Sequence, residues 1–153
     1  MLEPGQKLPH FSLPASGGKT LGHGDFKGKP LVLYFYPKDS TPGCTLEAQD
    51  FRDRHKDFRK LGVQVVGVSR DSVRSHDNFC AKQSLPFPLL ADTDEALCQA
   101  FGVIKDKKMY GRTVRGIERS TFLFDAKGVL RNAWRGLRVP GHVDEVLEAA
   151  AAL

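Results

Sequence analysis

The sequence holds three cysteines, and one of them, Cys44, stands where a thiol is expected to react. It follows an apolar run over 31–36 and a short turn that ends in Thr41, Pro42 and Gly43. Thr41 is a good helix N-cap, and Pro42 suits the first helical position because its missing N–H has no partner to lose there. Cys44 is therefore predicted in the first turn of a helix, where unpaired amides and the helix dipole stabilise a thiolate. The alternative is an ordinary buried cysteine, although a Thr-Pro-Gly turn is a poor place to hide an apolar side chain.

Strand and helix patterns alternate along the chain and predict a mixed α/β fold around Cys44. Apolar runs rich in β-branched and aromatic residues favour buried strands, and a Ser or Asp before a periodic stretch favours a helix start. The predicted strands cover 31–36, 63–69, 89–91, 121–124 and 129–134, and the predicted helices cover 44–60, 71–83, 92–101 and 142–152. Residues 11–21 indicate a small appended hairpin, and residues 102–117 a basic loop. This order predicts one domain over residues 1–153, with a mixed sheet covered by helices on both faces.

Composition and charge argue against several other classes of protein. Of the 153 residues, 41% are hydrophobic and 27% are charged, which is typical of a globular chain that is neither disordered nor membranous. The longest apolar run, over 31–36, is far too short to span a bilayer, and residues 1–7 hold no hydrophobic stretch of a secretory signal. We therefore expect a cytoplasmic protein. The net charge of +5 comes with no nucleic-acid motif, so a solvated basic surface is favoured.

The segment around Cys44 resembles the active site of a known family. Pro37, Thr41 and Cys44 match the Pro-x-x-x-Thr-x-x-Cys signature of the peroxiredoxins. Residues 35–45 as a whole are similar to the PrxQ subfamily, also called the bacterioferritin-comigratory-protein subfamily. The resemblance covers nearly the whole chain, with further matches at 69–72, 75–76, 87–92 and 118–122. It implies a thioredoxin-like fold, in which a mixed central β-sheet is flanked by helices and carries an N-terminal β-hairpin.

The resemblance also implies a role for each of five residues. Cys44 would be the nucleophile that attacks a hydroperoxide, and the Thr41 hydroxyl would hydrogen-bond both the thiolate and the peroxide. Pro37 would shield the thiolate from bulk water. Arg119 would bring a permanent positive charge to the sulfur and stabilise charge on the breaking O–O bond. Glu47 matches an acidic position of the family and would orient Arg119, whereas a solvated helix face is the alternative interpretation of this residue.

A second cysteine is needed to convert oxidised Cys44 into a disulfide. It can be Cys80 or Cys98 of this chain, or a cysteine of another molecule. Many PrxQ proteins carry it five residues after the first, but Gln49 occupies that position here. A second type within the subfamily carries it in the helix after the second core strand, and Cys80 matches that type. Cys98 has apolar neighbours at helical spacing, which favours a buried structural thiol. Because two helices of a packed domain seldom hold thiols at disulfide distance, we expect local unwinding at Cys44 and Cys80.

The implied reaction reduces hydrogen peroxide and organic hydroperoxides, with thioredoxin or a similar dithiol protein as the reductant. The resemblance calls for no metal, haem, flavin or selenium, and for no membrane or nucleic acid. No cysteine follows Cys98, which removes the C-terminal resolver of dimeric relatives and favours a monomer. A thiol–disulfide oxidoreductase would need a cysteine where Glu47 stands. A basic non-enzymatic binding protein or a metal-binding module is the other alternative, although the cysteines and histidines lack paired ligand spacing.

Replacing Cys44 by serine is expected to abolish peroxidase turnover, because serine keeps the shape of the side chain but is not ionised at neutral pH. Cys98→Ser is the matched control and should keep nearly full activity. Peroxide-dependent oxidation of reduced thioredoxin measures both variants, and circular dichroism verifies their fold. Substantial activity in Cys44→Ser would remove Cys44 from the mechanism, and a loss of activity in a folded Cys98→Ser would show that Cys98 is more than a structural thiol.

Overall fold

The computed structural model describes residues 2–153. Over these residues the chain forms nine β-strands, five α-helices and a short 3₁₀ helix at His23–Phe26. The strands are β1 (Ser12–Ala15), β2 (Lys19–Gly22), β3 (Leu31–Phe35), β4 (Gln64–Ser69), β5 (Leu89–Ala91), β6 (Ile104–Met109), β7 (Arg112–Ile117), β8 (Ser120–Phe124) and β9 (Leu130–Arg135). The helices are α1 (Pro42–Asp53), α2 (His55–Lys60), α3 (Val73–Gln83), α4 (Ala96–Ala100) and α5 (His142–Ala151). None of these helices is long and apolar enough to cross a membrane.

Seven of the strands form one mixed sheet, in the order β2-β1-β5-β4-β3-β8-β9. The three central strands β3, β4 and β5 run parallel, and β8 and β9 extend the sheet antiparallel beyond β3. The β1–β2 hairpin joins the opposite side through Ala15, which pairs with Leu90 of β5. The predicted mixed sheet and its N-terminal hairpin are therefore confirmed.

Strand β3 is one of the three central strands of this sheet and is buried on both faces. Since successive side chains of a strand point to opposite faces, β3 contributes to two separate cores. On one face Phe35 packs against Phe101, with ring centroids 4.8 Å apart. On the other face Tyr34 stacks on Phe51 of α1 at 4.5 Å, in the same core as Cys44. β3 is thus the surface against which α1 positions its cysteine.

Two predicted helices differ from the observed ones in their extent. The helix predicted over 44–60 is broken, because Arg54 leaves helical dihedral angles (φ −100°, ψ 3°) directly after Asp53. α2 then starts at the next residue. The helix predicted over 92–101 is confined to α4, because its N-cap Glu95 has left-handed backbone (φ 63°). The first difference is a break within the predicted helix, and the second is a later helix start.

The prediction of a loop over 102–117 is wrong. β6 and β7 pair along their whole length as a two-stranded antiparallel ribbon outside the central sheet. Tyr110 and Gly111 join them with positive φ angles of 52° and 76°, as in the tight turns whose twist suits a hairpin. Charged residues occupy both faces of the ribbon, so the sequence lacks the apolar alternation that reveals a strand.

Two buried tyrosines differ in whether their hydroxyl groups are hydrogen-bonded. The Tyr34 hydroxyl is buried without a hydrogen-bond partner among residues 2–153, whereas the Tyr36 hydroxyl donates to Asp39 at 2.5 Å. Tyr34→Phe removes an unsatisfied polar group and should raise the free energy of unfolding by about 1 kcal/mol, while Tyr36→Phe should lower it by about as much. Urea denaturation with unchanged m-values measures both variants. A loss of stability in Tyr34→Phe would show that this hydroxyl does have a partner.

Candidate active site

Cys44 is the third residue of α1, and the start of this helix is the one the sequence predicts. Thr41 is the N-cap, with extended backbone (φ −88°, ψ 154°), and Pro42 is the first helical residue. Cys44 is only 1% exposed and belongs to the core between α1 and β3. The amides of the first turn and the positive end of the helix dipole surround this position. The local sequence therefore places a buried sulfur at an electropositive helix end.

The Thr41 hydroxyl does not cap an amide of α1. It donates to the carbonyl oxygen of Lys38 at 2.8 Å and so closes the turn that precedes the helix. In this conformation its proton is not directed at the Cys44 sulfur, which differs from the bond that the family resemblance implies. The hydroxyl oxygen keeps lone pairs that can accept a hydrogen bond from a peroxide.

Arg119 brings a guanidinium to the sulfur from a position 75 residues further along the chain. It lies in the link between β7 and β8, directly before β8 begins. Its Nη2 donates to Cys44 Sγ at 3.4 Å, and its Nη1 donates to Glu47 Oε1 at 2.7 Å. A Cβ atom at Gly43 would lie 3.1 Å from Arg119 Nη2, so the absence of a side chain there gives the guanidinium its room. One cation thus bridges a thiol and a carboxylate.

Glu47 is fully buried on the inner side of α1, which rules out the interpretation as a solvated helix position. Burial raises the pKa of Glu47 to about 7, although the Arg119 guanidinium opposes this rise. Glu47 Oε2 is buried and has no hydrogen-bond partner in the described part of the chain, so only one carboxylate oxygen is compensated. The Glu47–Arg119 pair therefore changes its charge close to neutral pH.

A buried hydrogen-bond network lies behind the turn that carries Pro37. Pro37 itself is half-buried, and Asp39, two residues further on, is buried. The Asp39 carboxylate accepts hydrogen bonds from the Tyr36 hydroxyl at 2.5 Å and the Ser75 hydroxyl at 2.8 Å. Its Oδ2 also lies 2.7 Å from His76 Nδ1. Hydrogen bonds thus connect the turn before α1 to α3.

The three cysteines are free thiols on three different helices. Cys80 is half-buried on α3, and burial raises the pKa of its thiol although a hydrogen bond with Ser16 opposes this. Cys98 is fully buried on α4, and burial together with the adjacent Asp92 raises the pKa of its thiol. These surroundings hold both groups as uncharged thiols at neutral pH. Cys98 has the burial expected of a structural thiol.

The helices that carry Cys44 and Cys80 lie side by side. Gln49, at the position where many PrxQ proteins have their second cysteine, donates from Nε2 to Gln83 Oε1 at 2.9 Å. Arg52 Nη1 donates to the Gln83 carbonyl oxygen at the same distance. These contacts tie α1 to the C-terminal end of α3 and hold the two thiols in separate helices.

One group of side chains has the composition of a metal site. Asp39, Asp71 and His76 offer ligand atoms within 4.8 Å of one another. Each of these atoms already bonds to a protein group, since Asp71 Oδ2 accepts from the Asp39 amide at 2.9 Å and from the Ser69 hydroxyl. The group therefore forms part of the hydrogen-bond network around the turn.

Two residues near the Arg119 guanidinium do not stand out in the sequence. Gly43 leaves space for the guanidinium because it has no side chain. Its position next to Cys44, within the segment that resembles the family, is the only feature of the sequence that indicates this role. His142 lies 2.8 Å from the Thr121 hydroxyl through Nε2, and burial, with a smaller effect of Arg119, lowers its pKa to about 4. His142 is therefore a neutral neighbour of the guanidinium at physiological pH, which no local pattern predicts.

The strand order, the cysteine at the helix start and the arginine that reaches it define a thioredoxin-fold protein with an electropositive thiol site. Residues 4–133 match the model of the AhpC/TSA family. Peroxiredoxin Bcp of Xanthomonas campestris is 57% identical over 144 residues, which cover 93% of this chain and 90% of that protein. The structure of a Xylella fastidiosa PrxQ variant is similar to this one, with a TM-score of 0.95 and 47% sequence identity. The aligned residues cover 99% of this chain and 97% of the X. fastidiosa chain.

Structures of X. campestris peroxiredoxin Q match with a TM-score of 0.89 at 56% identity, over 93% of this chain and 90% of theirs. Two of them are cysteine-to-serine variants, at positions separated by the same number of residues as Cys44 and Cys80. A further structure, 55% identical with the same TM-score and coverage, concerns alkyl peroxide reduction by the X. campestris bacterioferritin comigratory protein.

The chain belongs to the AhpC/TSA family. Within it, the resemblance to the PrxQ, or bacterioferritin-comigratory-protein, subfamily is confirmed by relatives that are similar over almost the whole chain. The chain is a peroxiredoxin enzyme with a thioredoxin-like fold, as the sequence predicts.

The raised pKa of Glu47 predicts a pH dependence of stability. The folded protein holds this proton up to about pH 7, whereas the ordinary value is 4.5, so the folded state binds more protons between these values. Stability should therefore fall as the pH rises from 4.5 to about 7, by up to about 3 kcal/mol. Glu47→Gln cannot titrate and should lose this part of the slope. Urea unfolding of both proteins across this pH range measures the difference, and parallel pH profiles would contradict the prediction.

Proposed function

We propose that this peroxiredoxin reduces hydroperoxides with Cys44 as the nucleophile. The observation that carries the proposal is the guanidinium of Arg119, which donates to Cys44 Sγ at 3.4 Å and to Glu47 at 2.7 Å. A permanent cation beside a buried sulfur stabilises the thiolate, which is the nucleophilic form. The planar guanidinium also has further N–H donors that can reach the oxygens of a peroxide.

In the first proposed step the Cys44 thiolate attacks one oxygen of the hydroperoxide. An S–O bond forms and the O–O bond breaks, and the leaving oxygen takes up a proton and departs as an alcohol, or as water from hydrogen peroxide. Arg119 stabilises the negative charge on the breaking O–O bond, and Glu47 holds the guanidinium in place. Thr41 accepts a hydrogen bond from the peroxide, and Pro37 limits the access of water to the sulfur.

In the second proposed step Cys80 resolves the Cys44 sulfenic acid. The Cys80 sulfur attacks the Cys44 sulfur, an S–S bond forms, the S–O bond breaks, and the hydroxyl leaves with the thiol proton as water. The equal separation of the two substituted cysteines in the X. campestris variants supports this pairing. A disulfide needs Cα atoms about 4.4–6.8 Å apart, so thiols on two helices must be released by local unwinding. Until that happens, excess peroxide can oxidise the sulfenic acid irreversibly to sulfinic acid.

We infer that the substrates are hydrogen peroxide and organic hydroperoxides, and the alkyl peroxide reduction described for the X. campestris relative supports the organic class. The disulfide would be reduced by thioredoxin or a similar dithiol protein, for which the half-exposed Cys80 is the accessible sulfur. We further propose a single domain over residues 1–153 that acts as a cytoplasmic monomer, without a metal, a nucleic acid or a membrane.

Cys80→Ser tests the resolving step. With one equivalent of peroxide the variant should oxidise Cys44 at a near-normal rate, because that step does not involve Cys80. It should then remain as sulfenic acid, lose thioredoxin-dependent turnover and pass readily to sulfinic acid. Rapid-quench mass spectrometry measures each species. Undiminished thioredoxin-dependent turnover in Cys80→Ser, or a wild-type disulfide from Cys44 to Cys98, would refute Cys80 as the resolver.

The same reaction tests the unwinding in the wild-type protein. Formation of the Cys44–Cys80 disulfide should accelerate amide hydrogen exchange over 42–50 and 76–83, since each helix must release its cysteine. The strands at 31–36 and 63–69 are the internal control and should stay protected. Unchanged exchange in a protein that forms this disulfide would leave the pairing in place and contradict the unwinding.

A further inference from the structure

Two buried residues join the segments that carry the reacting cysteines. Asp39 lies in the turn between Pro37 and Thr41, directly before α1. His76 lies in α3, one helical turn before Cys80. The Asp39 Oδ2 to His76 Nδ1 distance is 2.7 Å, and the two side chains are 2% and 0% exposed. The contact thus spans the two regions that must separate before a disulfide forms.

The geometry of His76 assigns a charge to this contact. Its Nδ1 faces the Asp39 carboxylate, and its Nε2 faces the carbonyl oxygen of Leu90 at 2.9 Å. A neutral imidazole has only one N–H, so two acceptors require a second proton. That proton is not needed on Asp39, because the Tyr36 and Ser75 hydroxyls already donate to its oxygens. An imidazolium paired with a carboxylate therefore satisfies every atom.

Groups from other strands and turns that lie around Asp39 and His76 also favour an imidazolium next to a carboxylate. Asp71, which follows β4, places a second carboxylate within 4.8 Å and accepts a hydrogen bond from the Asp39 amide. The Tyr36 hydroxyl, after β3, lies 3.4 Å from His76 Nδ1. No other ionisable side chain hydrogen-bonds to the ring among residues 2–153. Two carboxylates and one imidazolium make a connection that is costly to separate in a buried place.

We propose that Asp39 and His76 are positioning residues that keep the turn before Cys44 closed on α3 and thereby set the rate of resolution by Cys80. The proposal rests on the proposed function, in which both cysteines leave their helices. Neither residue touches the sulfur or the peroxide, so neither is a catalytic residue. The pair favours the arrangement in which Arg119 contacts Cys44, and it opposes the opening that the disulfide requires. It therefore prolongs the lifetime of the sulfenic acid.

The test compares wild type with Asp39→Asn, His76→Gln and the double variant, each treated with one equivalent of hydrogen peroxide. Rapid-quench mass spectrometry follows sulfenic acid and disulfide separately. Disulfide formation should be at least about tenfold faster in each single variant, which corresponds to about 1.4 kcal/mol of barrier. The double variant should be no faster than the faster single variant, because both changes break one contact. The sulfinic acid formed at excess peroxide should decrease in the same proportion.

A control separates this effect from a general loss of stability. Leu130→Ala, in β9, creates a cavity in the core on the other face of the sheet and touches neither segment. It should leave the rate of disulfide formation within about twofold of wild type.

Three results would overturn the proposal: unchanged or slower disulfide formation in the single variants, an equal acceleration in Leu130→Ala, or additive effects in the double variant. Should a single variant fail to fold, Ser75→Ala removes one hydroxyl donor to Asp39 and should still raise the rate about threefold, with no rise counting against the proposal. Peptide mapping of the wild type identifies the disulfide independently. If the oxidised wild-type protein lacks the Cys44–Cys80 disulfide, the assignment of Cys80 as the resolver is wrong, and this conclusion does not depend on the rates of the variants.

Discussion

Arg119 stands between the Cys44 sulfur and the Glu47 carboxylate, and each of the three groups depends on the other two. A buried cation without a partner is costly, and Glu47 offsets that cost through a hydrogen bond of 2.7 Å. Glu47 is itself so deeply buried that its pKa rises to about 7. The remaining donors of the guanidinium approach the sulfur through the space that Gly43 leaves beside them. The site therefore pairs a partly exposed guanidinium with a buried carboxylate and a buried sulfur.

The arrangement that suits the first proposed step conflicts with the second proposed step. A nucleophilic Cys44 needs the closed helix start and the arginine, whereas the proposed disulfide needs Cys44 and Cys80 within a few ångströms of each other. Helices α1 and α3 hold the two thiols apart and are tied together through Gln83 at one end and Asp39 at the other. The strands beneath them are buried on both faces and do not have to move. In the proposed mechanism the sheet stays in place for both steps, while α1 and α3 unwind locally for the second.

Much of the fold could be predicted because its signals are local. The apolar run at 31–36 corresponds to β3, and Thr41 marks the start of α1. Ser72 caps α3 and accepts a hydrogen bond from the Ser75 amide at 3.1 Å, as its position indicates. The ribbon at 104–117 has no such local signal, because its strands are held by backbone pairing and a tight turn while half of the side chains in these strands are charged.

The sequence by itself determined the helix start, the family and the presence of a thiol in the first turn of that helix, since these depend on a few consecutive residues. Only the tertiary structure decided which distant groups meet at that thiol. The local pattern left Arg119 one base among several, and it allowed Glu47 to be a solvated position until the packing of α1 buried it. Asp39 and His76 likewise became a pair only through the contact of α3 with the turn. Burial and charge pairing arise from contacts between separate segments, and no spacing along one segment encodes them.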